Sequence, residues 1–355
     1  MRKISYYLLA IAVTVLALFA CKQKLSSEVT GRAKSEVVVF NWGDYIDPSL
    51  IKQFEKEYGY HVVYETFDSN ESMITKIRQG GTHYDVAVPS EYKVPEMAKA
   101  NLLRPIDYSK IKGMQYIDKR FLDMPFDPKN KYSIPYFWGT LGIVYNSKQL
   151  GEGAIKRWAD LWKPEYKDSI LMIDGAREML GIGLQRRGYS LNECNSEILD
   201  RVEGDLKGLM TNIKALLADE MKMYMIQGEA PIAVTFSGEA GVMLEENPDL
   251  RYVIPEEGTN IWVDNLVIPK SAKNIQGAHD FISFLMRPEV AAQNARYITY
   301  STPNTAALKL LPKSITEDKN SYPDAEAIKR MEIYKNIGKK KTIEYNERFL
   351  EIKMH

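Results

Sequence analysis

Three features of the sequence predict an α/β protein with mainly parallel sheets flanked by helices. Between Glu36 and Val88, apolar runs of strand length alternate with helical stretches in a βαβαβ order, the pattern that builds a parallel sheet. The predicted strands end in short loops that pair aromatic rings with carboxylates, and ligands of such sheets bind at the carboxyl ends of strands. The 355 residues, 45% hydrophobic and 26% charged, suffice for two lobes, each with its own core.

The first strand, Glu36-Val37-Val38-Val39-Phe40, runs into the polar and aromatic loop Asn41-Trp42-Gly43-Asp44-Tyr45. Pro48 opens a helix through Tyr58, where its missing N–H costs nothing, and Gly59 stops it. Residues 61–66 read as a strand, 70–79 as a helix closed by Gly80-Gly81, and 84–88 as a third strand leading into Pro89-Ser90-Glu91-Tyr92. The stretch 132–139 is dense in rings, mostly for core packing. Residues 141–145 after it read as one more strand, so a crossover between lobes is expected here. Residues 158–163 form a short helix ended by Pro164, and 170–174 a strand feeding Gly175-Ala176-Arg177-Glu178. Met221, Met223 and Met225 have no Cys or His beside them and read as core filler.

Residues 232–236 are a buried strand entering Ser237-Gly238-Glu239-Ala240-Gly241. If 260–265 is extended, Trp262 and Asp264 project to the same side. An indole face beside a carboxylate suits an organic cation, although alone the pair fits a packed Trp next to a loop-facing Asp more readily. Residues 266–269 continue that strand, and 277–286 form an amphipathic helix with His279 on its solvated side. Residues 300–304 make a turn, and the charged tail from Tyr322 is helical.

Lys+Arg and Asp+Glu both total 47 with no basic block, which points away from nucleic acid. Arg2 and Lys3 precede the apolar run 8–20, the form of a secretory signal. Leu18-Phe19-Ala20-Cys21 resembles a lipobox, so residues 1–20 are expected to be a signal peptide, Cys21 the lipidated residue, and 22–35 a flexible tether. Loss of residues 1–20 leaves 45 basic and 47 acidic residues, a net charge of −2. Cys194 is then the one free thiol, which excludes an intramolecular disulfide and a Cys-based metal site. The four histidines, His61, His83, His279 and His355, lack ligand spacing, and no nucleophile elbow, phosphate loop or His-Glu-x-x-His is present. Neither a metal, a cofactor nor a catalytic residue is expected, and the protein is not expected to be an enzyme.

The segments 40–45, 88–92, 132–139, 158–166, Ala176-Arg177-Glu178, Trp262-Val263-Asp264, 287–291 and 300–304 together resemble the spermidine/putrescine-binding proteins that deliver polyamines to ABC importers. The resemblance runs from about Val37 to the final helix. It implies a two-lobed, type II-like periplasmic-binding-protein fold that closes on a ligand in the cleft between lobes. Lobe I would be 36–140 plus 265–308, and lobe II 141–264 plus 309–355. A monomeric lipoprotein on the periplasmic side of the envelope would capture putrescine and/or spermidine in an aromatic and carboxylate cage and pass it to an inner-membrane permease. The alternatives are a same-fold lipoprotein with a sensing or adhesion role, and a binder of another small cationic solute.

Carried over by position, the resemblance implies that Trp42, Tyr45, Ser90, Tyr92, Glu178, Trp262, Asp264 and Tyr300 contact the ligand, with Asp44 close to it. Trp262, Asp264 and Glu178 would hold one ammonium, faced from the other lobe by Trp42, Asp44, Tyr45, Ser90 and Tyr92. Departures bear on ligand choice: Gly175 stands where spermidine-preferring members carry an Asp, Phe236 replaces a Trp, Tyr334 a Gln, and Gly43 a hydroxyl residue. Glu239 lies where the putrescine-preferring branch has an acidic contact. Either Glu239 replaces the carboxylate lost at Gly175, or it points to solvent and the site is weaker.

Overall fold

The computed structural model describes residues 36–218 and 220–355, so the expected signal peptide, Cys21 and tether lie outside the described residues. Ten strands, β1 (Glu36–Trp42), β2 (His61–Phe67), β3 (Val86–Ala87), β4 (Leu103–Arg104), β5 (Ser133–Asn146), β6 (Ile170–Ile173), β7 (Ile213–Leu217), β8 (Ile232–Phe236), β9 (Leu250–Val253) and β10 (Ile261–Pro269), form one sheet. Its order is β2-β1-β3-β10-β5-β8-β6-β7, with β4 on β10 and β9 on β5. The outer strands follow the expectation: β1 is parallel to β2 and β3, and β6 is parallel to β7 and β8. The centre does not. β10 is antiparallel to β3, β4 and β5, and β5 is antiparallel to β8 and β9, so two parallel wings are joined by an antiparallel middle.

The cause lies in β5. The aromatic run and the strand expected after it are one 14-residue strand, buried at every position. Up to Thr140 its partner is β10, and from Leu141 its neighbour is β8. Pro135, Gly139 and Gly142 do not interrupt the strand, and the chain passes straight from one wing to the other. Gly139 sits next to the change of partner: a Cβ there would lie 2.5 Å from Cζ2 of Trp262 and 2.7 Å from Oγ of Ser237. Only glycine lets the indole and the hydroxyl approach the strand this closely.

Each wing is covered on both faces, which is why its strands read as near-continuous apolar runs. Val37, Val39 and Val86 pack on helices Pro48–Tyr58, Ile275–Leu285 and Pro288–Ile298, while Val38, Phe40 and Ala87 face Asn70–Gln79 and Val94–Lys99. In the other wing, Ile170, Met172, Ile232 and Val234 pack on Ala176–Arg186, Ser196–Leu209 and Gly338–Lys353. There Leu171 and Ala233 face Met221–Ile226 and Ser237–Glu246. Phe236 touches the cores of both wings. The helix ends are local in origin: Asp47 accepts from the Ser49 amide at 2.8 Å, and Gly59 takes φ +76° to end the helix Pro48–Tyr58.

Three expectations need correction. Met221 and Met225 are buried, but Met223 is 57% exposed, because positions 221 and 225 share one face of a helix and 223 lies opposite. His279 is buried rather than solvated: its Nε2 accepts from the Asp107 amide at 3.2 Å, and its Nδ1 lies 2.7 Å from the Ile275 carbonyl. The loop that covers it is 172 residues distant in sequence, beyond the reach of periodicity. The tail is not one helix from Tyr322 but Ala325–Ile328 and Gly338–Lys353. Between them the chain leaves helical geometry to trade hydrogen bonds with the start of β10, Ile261 N to Glu332 O at 2.9 Å and Glu332 N to Thr259 O at 3.0 Å.

Candidate ligand-binding site

A cleft of about 1170 Å³ opens where the wings meet. It is lined by Trp42 at the end of β1, Phe67 at the end of β2, Ser90 beyond β3, Ile173 at the end of β6, Ala218 beyond β7 and Phe236 at the end of β8. These are the carboxyl ends of the parallel strands, where helix N-termini and irregular loops leave unpaired polar groups for a ligand. Trp42, Asp44, Tyr45, Ser90, Tyr92, Glu178, Phe236, Glu239, Trp262, Asp264, Tyr300 and Tyr334 all line it.

Asp264 is the hub. Its residue is 6% exposed, and it accepts from the Tyr45 hydroxyl at 2.8 Å and the Ser90 hydroxyl at 2.7 Å. Asn70 steadies this corner, donating to Ser90 Oγ and Tyr92 OH, each at 3.0 Å, and accepting from the Ser90 amide at 3.1 Å. Rings close in around it: Trp262 meets Tyr300 edge-on at 5.1 Å and Phe236 at 6.0 Å, and Tyr45 meets Tyr300 at 5.5 Å. Burial pushes the Asp264 carboxyl up to about 6, against the lowering effect of the Ser90 and Tyr45 hydrogen bonds. Among the described residues its side-chain partners are these two hydroxyls and no cation, and an organic cation complements a carboxylate held so in a ring-lined corner.

Trp262 and Asp264 therefore stand beside Tyr45 and Ser90, not opposite them as expected. β10 lies between β3 and β5, so the residues of its first half share a wall, and in Trp262 a core, with the β1 and β3 loops. The other side is formed by Glu178, Tyr334 and the 237–246 helix. Glu178, half-buried, lies in the first turn of the helix Ala176–Arg186. Burial raises its carboxyl, opposed by its own backbone amide and the Arg177 charge. A Cβ on Gly175 would overlap Oε2 of Glu178 and lie 2.9 Å from its Cδ, so the glycine makes room for this carboxylate to fold over the helix start. Tyr334 is 3% exposed with its ring 6.2 Å from that of Tyr92, and its buried hydroxyl has no partner among the described residues.

Glu239 does neither of the two things expected of it. It pairs with Lys222 at 2.6 Å, and the two side chains are 21% and 24% exposed. The helices Met221–Ile226 and Ser237–Glu246 pack on each other and bring the two together. Asp44 is exposed at the cleft mouth with φ +48°. Asp174, the carboxylate next to Gly175, is held by Lys353 at 2.8 Å.

Among the cleft residues that sequence reading passed over, three shape the ligand corner and the wall across from it. Asn70 organises Ser90 and Tyr92, and Arg177 stacks over Tyr334 at 4.4 Å. Glu91 is fully buried, with Oε2 accepting from the Val263 amide at 3.0 Å and Oε1 unpartnered among the described residues. Burial pushes its carboxyl up to about 8, opposed by the Val263 hydrogen bond and reinforced by the Asp264 charge. The signal for Glu91 was its place between Ser90 and Tyr92: two neighbours that reach one cleft leave the middle side chain facing inward.

A family model of bacterial extracellular solute-binding proteins matches residues 49–324. The spermidine/putrescine-binding periplasmic protein of Escherichia coli is 41% identical over 316 residues, 88% of this chain and 90% of that protein. The putrescine-binding periplasmic protein SpuD of Pseudomonas aeruginosa is 30% identical over 338 residues, 89% of this chain and 92% of that protein. Among solved structures, the spermidine/putrescine ABC transporter substrate-binding protein PotD of Streptococcus pneumoniae, in complex with calcium and HEPES, matches with a TM-score of 0.82. Its identity is 55%, and the match covers 90% of this chain and 99% of that one. The two wings are thus the two lobes of the fold these proteins share. By sequence, by fold and by the cleft at its strand ends, this chain belongs to the family of bacterial extracellular solute-binding proteins.

Proposed function

We propose that the protein captures putrescine and/or spermidine in the interlobe cleft and delivers it to an ABC permease, by binding and release with no chemical step. The observation that carries this reading is Asp264: a buried carboxylate, held by two hydroxyls and by no cation among the described residues, beside Trp262 and Tyr300. Its ammonium ligand would lie on the indole face and donate to the carboxylate, and both attractions strengthen as closure expels water. Glu178 and the Tyr334 hydroxyl supply acceptors for the second end of the chain. The names of the E. coli, P. aeruginosa and S. pneumoniae relatives support the same ligand class.

On this reading the protein works as a monomer on the periplasmic side of the envelope, anchored through lipidated Cys21. The lobes would follow the expected boundaries with one shift: 261–264 belong with the first lobe, since Trp262 shares a core with Tyr45 and Phe137.

Thermal shift of the form lacking residues 1–21 tests the ligand class. Putrescine or spermidine at a hundred times its Kd should stabilise the protein by about 2.7 kcal/mol, while amino acids leave Tm unchanged. No shift with any polyamine overturns the proposal. Gly175→Ala tests the second anchor. The added methyl should displace the Glu178 carboxylate and weaken polyamine binding by about tenfold, the loss of one charge-assisted hydrogen bond, as read by calorimetry. Unchanged affinity would remove Glu178 from the ligand contacts.

A further inference from the structure

The carboxyl groups of the cleft are not equivalent. Asp264 and Glu178 take part in no ion pair among the described residues. Glu239 does: the ammonium of Lys222, itself a cleft residue, lies 2.6 Å from its Oε2, and both side chains are largely enclosed. Of the other lysines that line the cleft, Lys93 pairs with Glu71 and Glu96 at 2.9 and 3.1 Å and Lys76 with Glu65 at 3.0 Å, while Lys335 takes part in no ion pair among the described residues. Lys222 differs because its partner is in the first turn of the helix that begins directly after Phe236, the ring that meets Trp262 edge-on.

We propose that Lys222 acts as a built-in ammonium that occupies the anionic position at Glu239 and thereby limits the ligand to two cationic ends, held at Asp264 and Glu178. This inference deepens the polyamine reading and rests on it. A diamine satisfies Asp264 at one end and Glu178 at the other and leaves the Lys222–Glu239 pair intact. A triamine carries one more ammonium, and where that ammonium passes Phe236 it meets a neutralised carboxylate with a lysine already on it. To bind there it must either lie beside a like charge or displace Lys222, exchanging one ammonium contact for another. The discrimination thus comes from a carboxylate whose charge is already neutralised, so the site offers the third ammonium no net anionic partner. It also accounts for Gly175 and Glu239 together: the carboxylate absent at Gly175 is not replaced by Glu239, because Lys222 has taken that charge.

Calorimetric titration of wild type, Lys222→Met and the double variant Lys222→Met/Glu239→Gln with putrescine and with spermidine tests the proposal. Wild type should prefer putrescine. Lys222→Met removes the ammonium that faces Glu239, and the ratio of spermidine to putrescine affinity should rise at least tenfold. The double variant also removes the Glu239 charge and should return the ratio to near the wild-type value. Lys222→Gln, which keeps a polar end in the same place, should shift the ratio in the same direction and covers the case in which the methionine variant folds poorly. A ratio within twofold of wild type in both single variants overturns the inference while leaving polyamine binding in place. Absence of polyamine binding by wild type overturns the polyamine reading and this inference with it.

Discussion

Asp264→Asn is expected to weaken polyamine binding by roughly 30-fold to more than 1000-fold. The variant keeps the shape of the corner and an oxygen for one hydroxyl, but its amide has no charge to set against a desolvated ammonium. Breaking one partner of a buried charged pair costs about 2–5 kcal/mol. The loss should be much larger than that of Tyr45→Phe or Ser90→Ala, which remove one hydrogen bond from Asp264 and leave its charge. Those two variants should even raise the Asp264 carboxyl further, because both hydroxyls favour its anionic form. Calorimetry at pH 7.5 is the measurement. A Kd for Asp264→Asn within threefold of wild type would move the ammonium elsewhere in the cleft.

Acidification should act on the same group. With its carboxyl at about 6 in the empty cleft, Asp264 is anionic at pH 7.5 and mostly neutral at pH 5. Since the ammonium binds the anion, affinity should fall below pH 6 by up to tenfold per pH unit. Glu91 adds an effect at higher pH. Its carboxyl, at about 8, is protonated at neutral pH in part because Asp264 is charged nearby. An ammonium on Asp264 relieves that repulsion and lowers the Glu91 value, so binding at pH 7–8 should release protons. Titrations in buffers of different ionisation enthalpy would show the release, and Glu91→Gln should abolish it. In the empty protein the sign is reversed. Both carboxyls are raised above their unfolded values, so their contribution to stability is fully present below the ordinary carboxyl range. It is lost as pH rises through about 6 and then about 8. Tm of the empty protein should decline across that window, and saturating ligand should flatten the decline.

Much of the site was legible because its residues sit at strand ends, and strand ends are local features. The run 36–40 followed by Asn41-Trp42-Gly43-Asp44-Tyr45 announces a strand and a polar loop through apolar period and turn chemistry alone, and the β1 loop is where the structure places it. Trp262 and Asp264 share a side because a strand has period 2, whatever it pairs with. The antiparallel centre was not legible in the same way. A fully buried strand reads alike whether its neighbours are parallel or antiparallel, and β5 changes partner at Leu141 without any change in its own pattern.

The sequence by itself determined the kind of chemistry: rings and carboxylates at strand ends, and elements ordered for an α/β sheet. Propensity, periodicity and turn residues act over a few positions, so they are written in the chain. Tertiary structure alone decided how the charges are spent. It set Asp264 between hydroxyls 219 and 174 residues away, with no ion pair among the described residues, and it buried Glu91 behind Val263. It also brought Lys222 onto Glu239, which removes that charge from the cleft. Whether a carboxylate is free, protonated or neutralised depends on burial and on the nearest opposite charge, and both are properties of residues that meet only when the chain has folded.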